Sequence, residues 1–129
     1  MRSRDTLLRL HRFRTQEKRR QTVDIEGMIT DFMRKYDDLD IQVKIEESRN
    51  GVSDPAHFNY SLSAKAARGR RDNVMKSIGE LKDQLAEART ALGEEEQELR
   101  RVEMLVEKEA GPAAAAAPVA SALADAHVR

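Results

Sequence analysis

The chemistry-bearing residues of this chain are few and scattered. Its three histidines, His11, His57 and His127, stand far apart. None has metal-ligand spacing to another His, Asp or Glu, and a tolerated helical histidine is the simplest reading of His11. The run Glu94-Glu95-Glu96 has the charge to attract a cation. A calcium site, however, needs a loop that wraps oxygen ligands around the ion, and this run sits inside a helical pattern, so a solvated helix face is the expectation. There is no Cys, hence no thiolate nucleophile and no disulfide framework. No glycine-rich phosphate loop and no nucleophile elbow occurs. The expectation is a protein that is not an enzyme, with no cofactor, no metal and no cavity for a substrate.

What remains is charge, and it is unevenly placed. The net charge is zero. Residues 1–20 nevertheless hold Arg2, Arg4, Arg9, Arg12, Arg14, Lys18, Arg19 and Arg20 against Asp5 and Glu17. Residues 94–109 hold Glu94, Glu95, Glu96, Glu98, Glu103, Glu107 and Glu109 against Arg100, Arg101 and Lys108. Opposite charge at the two ends predicts that they lie side by side. Projected at about 100° per residue, Arg2, Arg9, Arg12, Arg19 and Arg20 fall on one helical face, opposite the apolar seam, with Phe13 at its edge. Three readings fit this stripe: a solvated face, a dock for an acidic protein surface, or a phosphate-neutralising nucleic-acid contact. The neutral chain and the acidic neighbouring stretch disfavour nucleic acid, and none is expected as a partner.

The elements that position these residues are long helices. From Val74 to Val106 the apolar residues recur at steps of four and three: Val74, Ile78, Leu81, Leu85, Ala88, Leu92, Leu99, Val102 and Val106. Only Glu95 breaks the series. That is the seven-residue repeat of a coiled coil, a stripe narrower than a globular surface helix carries. The first half has a matching seam at Ile25, Ile29, Phe32, Tyr36, Leu39 and Val43. Toward the N-terminus the same register runs through Thr22, Lys18, Thr15, His11 and Leu8, so the seam turns polar. Backward from Val74 the second seam continues through Arg71, Ala67 and Ala64.

The spacing predicts helix one over about 5–49, capped by Asp5 or Thr6, with Gly27 as its one weak point. At roughly 1.5 Å per residue it is on the order of 65–70 Å long. Asn50-Gly51 ends it, Gly supplying the left-handed conformation past a C-terminus. A turn spans about 50–60, with Asp54-Pro55 as a start signal, and helix two runs over about 61–110 until Gly111-Pro112 stops it. Residues 111–129 read as a flexible Ala/Pro tail. The short connector makes helix one the natural partner of helix two. An antiparallel register in which residue numbers sum to about 110 pairs the seams, Ile25 with Leu85 and Leu8 with Val102, and also pairs the charged ends. A parallel dimer sets like charges together and is the less favoured arrangement. The fold class expected is therefore all-α, an antiparallel coiled-coil hairpin over 1–110.

A second candidate surface lies near the turn. Ile41 and Ile45 point away from the seam in the projection, and Phe58, Tyr60 and Leu62 follow the turn. Either the turn folds back over the two isoleucines, or they form an exposed apolar patch for a partner. No apolar run approaches the roughly 18 residues of a membrane span. The basic start MRSRDTLLRL is too poor in apolar residues for a signal peptide. A soluble cytoplasmic protein is expected.

Taken in order, SRDTLLRLHRFRTQEKRRQ, IEGMITDFMRKYDDLD, GVSDPAHFNYS and AKAARGRRDN resemble the FliJ family of flagellar type III export proteins. The resemblance covers about residues 1–109. Coiled coils converge easily, so the turn segment SDPAHF and the RRDN after it carry most of it. It implies a coiled-coil stalk similar to the shaft of the F-type ATPase γ subunit, bound to the flagellar export ATPase ring. It further implies contact with the membrane export gate protein, handling of export chaperones, and a place at the inner face of the membrane reached through partners. On this reading Arg9, Arg12, Phe13, Arg19 and Arg20 are expected to contact the ATPase ring, and Ile41, Ile45, Phe58, Tyr60 and Leu62 the gate or a chaperone. The alternatives are a coiled-coil adaptor or chaperone hairpin unrelated to flagella and, behind it, a nucleic-acid-binding arm.

Overall fold

The computed structural model describes the backbone of residues 2–116 and the side chains of residues 3–109. Among the described residues there are two helices, α1 (Arg2–Asn50) and α2 (Leu62–Ala116), and no strand. The helices pack against each other antiparallel along the expected seams. Every seam position named above is buried or half-buried, from Leu8 to Val43 on α1 and from Ala64 to Val106 on α2. Contacts divide the chain into two units. One joins α1 through Arg20 with α2 from Thr90 onward, and the other is Gln21–Arg89 with the turn.

In the Gln21–Arg89 unit the core is aliphatic. Ile29, Val43, Ile78 and Leu85 are buried, and Ala64 and Ala67 are fully enclosed. Small residues at those two seam positions let the backbones approach closely beside the turn. Ion pairs cross the seam's flank: Arg89 reaches Glu26 at 3.0 Å and Arg71 reaches Asp40 at 2.9 Å, and the numbers of each pair sum to slightly more than the expected value of about 110. Arg71 occupies a seam position and uses its flat guanidinium as a core residue would. It lies over the Tyr36 ring at 5.9 Å while donating to Asp40, with its Nε buried and unpartnered among the described residues.

The turn is held by hydrogen bonds. Gly51 has a φ of 74°, and its N–H donates to the Glu47 carbonyl at 2.9 Å, the left-handed helix stop expected of Asn50-Gly51. The Asp54 carboxylate accepts from the Ala56 N–H at 3.0 Å, an Asx turn that Pro55 favours. Asn50 donates to the Asn59 carbonyl at 2.6 Å, the Tyr60 hydroxyl to Glu47 at 2.6 Å, and the Ser61 hydroxyl accepts from the Ala64 N–H at 3.2 Å as the cap of α2.

Both helices outrun their predicted ends. Asp5 and Thr6 are not caps. They sit inside the first turns of a helix that already begins at Arg2, where the Asp5 carboxylate faces the positive end of the helix dipole. Gly111-Pro112 does not stop α2, which continues to Ala116. Pro lacks only one helical donor, and the alanines that follow have the strongest intrinsic helix preference. The expected tail thus gives up residues 111–116 to the helix, and its remainder, 117–129, lies outside the described residues.

Two groups give the Gln21–Arg89 unit a pH dependence. The hydrogen bond from Lys44, with that from Arg71, holds the Asp40 carboxyl below its ordinary 3.8. A lowered folded value stabilises above pH 3.8 and is lost as the pH falls through the folded value. Burial, with the hydrogen bond to Glu47, raises the Tyr60 hydroxyl above 10.0, so its contribution is full below pH 10.0 and fades as the pH rises through the folded value. Thermal melts should therefore show wild type ahead of Asp40→Asn at neutral pH, with the gap closing below pH 3.8. A gap that persists there would remove Asp40 as its source.

Candidate protein-docking surfaces

In the unit that joins the chain ends, the seam is polar and yet paired. His11 Nδ1 lies 2.7 Å from Glu95 Oε1, both side chains mostly buried. Thr15, almost wholly enclosed, donates its hydroxyl to the His11 carbonyl at 2.8 Å. The lone break in the second seam, Glu95, is therefore the partner of the histidine in the first. Each was legible as an oddity of its own seam, and the signal that joins them is that both fall where the register sets polar residues opposite each other. Farther out, Arg4 pairs with Glu109 at 2.8 Å. The basic and acidic stretches do lie side by side, as the charge distribution predicted.

The arginine stripe does not stay on one face. Arg19 reaches across to Glu96 at 3.3 Å. Arg12 lines the same open groove, about 450 Å³, with Leu99, Arg100 and Glu103 of α2. These two arginines flank the seam rather than opposing it, because each follows the second seam residue of its heptad (His11, Lys18), the position that borders the seam, whereas Arg9 follows the first (Leu8) and is turned farther out. Arg9, Phe13 and Arg20 lie on the outward side. Phe13 is 64% exposed, Arg20 pairs along its own helix with Glu17 at 3.1 Å, and Arg9 and Arg12 form no ion pair among the described residues. The groove is charged and open to solvent, a feature the expectation of no cavity did not foresee. Among the described residues no group of acidic, His or Cys side chains is arranged to hold a metal ion.

The turn candidates also separate. The turn does not fold over the isoleucines: Ile41, Ile45, Phe58 and Leu62 are all exposed. Tyr60 is half-buried and spent on Glu47. Ile41 and Leu62 each occupy the heptad position farthest from the seam, on different helices, so they face opposite sides of this unit and do not form one patch. Phe58 stands apart at 94% exposed, with the His57 ring stacked on it at 4.7 Å. An aromatic side chain held in solvent on a hydrogen-bonded loop is shaped to fill a pocket on another molecule at little ordering cost.

No family model, curated protein or solved structure matches this chain. The described helices contain none long and apolar enough to cross a membrane.

Proposed function

We propose that this chain is a non-enzymatic coiled-coil stalk of the bacterial flagellar protein export apparatus, one that binds the export ATPase ring, promotes its assembly and couples it to the membrane export gate. The observation that carries the reading is the basic N-terminal stretch of α1. Arg9, Arg12 and Phe13 are exposed there on a helix whose seam is already satisfied by α2. Cations and an aromatic ring exposed together on that stretch suit an acidic surface on a partner protein. Arg9, Arg12, Phe13 and Arg20 are assigned to the ring, with Arg19 shared between the ring and Glu96. Phe58 is the anchor for the gate or an export chaperone, with Ile41, Ile45 and Leu62 as separate contacts away from it. The protein would work in the cytoplasm, at the inner face of the membrane through its partners.

The test adds the purified chain to the export ATPase of the same organism and follows ATP hydrolysis and ring size together. Stimulation with ring formation at substoichiometric amounts is expected, and Arg9→Glu/Arg12→Glu/Arg20→Glu should abolish it with helicity unchanged. No binding and no stimulation by a folded chain would remove the stalk role. The exposed Phe58 would then favour the second reading, an adaptor or chaperone hairpin that binds partner proteins without any effect on an ATPase.

A further inference from the structure

The first four turns of α1 are built inside out. Their seam positions are Leu8, His11, Thr15 and Lys18, and the last three are polar. His11 and Thr15 are buried all the same. Three large apolar residues of the same stretch, Leu7, Leu10 and Phe13, lie off the seam with 37%, 41% and 64% of their surface exposed. They follow one another at steps of three, so they form a continuous strip along one flank and the back of the helix. A helix that only had to pair with α2 would put leucines where His11 and Thr15 stand and polar residues at 7, 10 and 13. This one leaves the larger apolar surface for something else to cover.

The charges around the strip say what covers it. Arg9 and Arg14 border it, and neither forms an ion pair among the described residues. The complementary surface is acidic. The acidic stretch of a second copy is a poor candidate, since four of its seven glutamates, Glu95, Glu96, Glu98 and Glu109, are already paired within the chain. A second copy meeting strip to strip would set arginines against arginines. An anionic membrane is disfavoured as well. Leu8 is turned inward, Asp5 and Glu17 bracket the strip, and an interfacial helix needs a broader apolar face.

We infer that Leu7, Leu10 and Phe13, bordered by Arg9 and Arg14, form the docking strip for an acidic amphipathic helix of a partner protein. The strip supplies the affinity and the arginines the orientation and encounter rate. The inference deepens the stalk reading and rests on it only for the partner's identity. It moves the centre of the contact from the arginines to the three apolar side chains.

The test uses the full chain and two protein probes. One is a synthetic helical peptide with Leu at its core positions and Glu flanking them, and the other is the export ATPase. Leu7→Ser/Leu10→Ser/Phe13→Ser should weaken peptide binding about tenfold or more. Phe13→Ser alone, the most exposed and so the least disturbing to the fold, should weaken it by a smaller factor, and Arg9→Glu/Arg14→Glu should slow association and flatten its salt dependence. Peptide binding unchanged in the triple variant, or absent in the folded wild type, would overturn the inference. So would strip-dependent binding to phosphatidylserine vesicles in place of the peptide, or a strip-dependent dimer by sedimentation in place of it. The ATPase arm judges the stalk reading separately. Peptide bound with ATPase ignored removes the stalk and keeps the strip. ATPase bound with the peptide ignored keeps the stalk and removes the strip.

Discussion

Replacing His11 and Glu95 together by leucine should stabilise the unit that holds them by about 2 kcal/mol, because a buried hydrogen-bonded polar pair gives way to apolar residues of similar size. The two side chains meet at 2.7 Å in a seam that is otherwise aliphatic on α2 from Val74 to Val106. Their desolvation opposes their mutual attraction, whereas two leucines contribute burial without that opposition. The single variants should go the other way. His11→Leu leaves the Glu95 carboxylate, mostly buried, against an apolar neighbour, and a loss of about 1–3 kcal/mol is expected. Glu95→Leu leaves a histidine nitrogen without its acceptor and should cost less, because the new leucine packs. Thermal melts of the four proteins form a double-mutant cycle that isolates the pair. Amide exchange over residues 8–18 and 92–102 places the change in this unit. A double variant less stable than wild type would mean that the pair holds a geometry leucine cannot reproduce.

Converting Gly27, Gly69 and Gly79 to alanine together should raise the stability of the Gln21–Arg89 unit by about 2–3 kcal/mol. All three lie inside helices and are exposed, and an added Cβ meets nothing within 4 Å at any of them. Alanine therefore brings no clash, and the gain comes from the lower backbone entropy of the unfolded chain, about 0.8–1 kcal/mol per site in a helix interior. The sites are well separated, so the increments should add. Gly51 is the control. Its φ of 74° is one that L residues rarely adopt, so Gly51→Ala should destabilise by about 1 kcal/mol despite equally open surroundings. Urea titrations at a constant m-value would show both signs. A triple variant no more stable than wild type would mean that the helices gain nothing from stiffening.

The sequence alone determined the architecture, because the heptad repeat is a local property. Steps of four and three fix which residues of each helix face inward, whatever the partner turns out to be, and every position so named is buried or half-buried. The register followed from length, since a turn that runs only from Gly51 to Ser61 leaves little freedom in how the seams align. The side-by-side placement of the basic and acidic stretches followed from the same register.

Tertiary structure decided what each polar side chain does with its position. Arg12 and Arg19 share a sequence neighbourhood with Arg9 and Arg20, yet a quarter turn of the helix puts them against α2, where Arg19 finds Glu96. Glu95 was a flaw in one seam and His11 a tolerated residue in the other until the pairing set them 2.7 Å apart. Phe58 and Tyr60 are two residues apart. One is in solvent and the other is bonded to Glu47, a difference fixed by loop hydrogen bonds that no periodicity encodes. Long-range polar contacts depend on the distance between side-chain tips across two backbones. A sequence states those distances only after the register is known, and the ends of α2 show the same limit locally, since the helical preference of the alanines carried it past a proline that pattern alone would take as a stop.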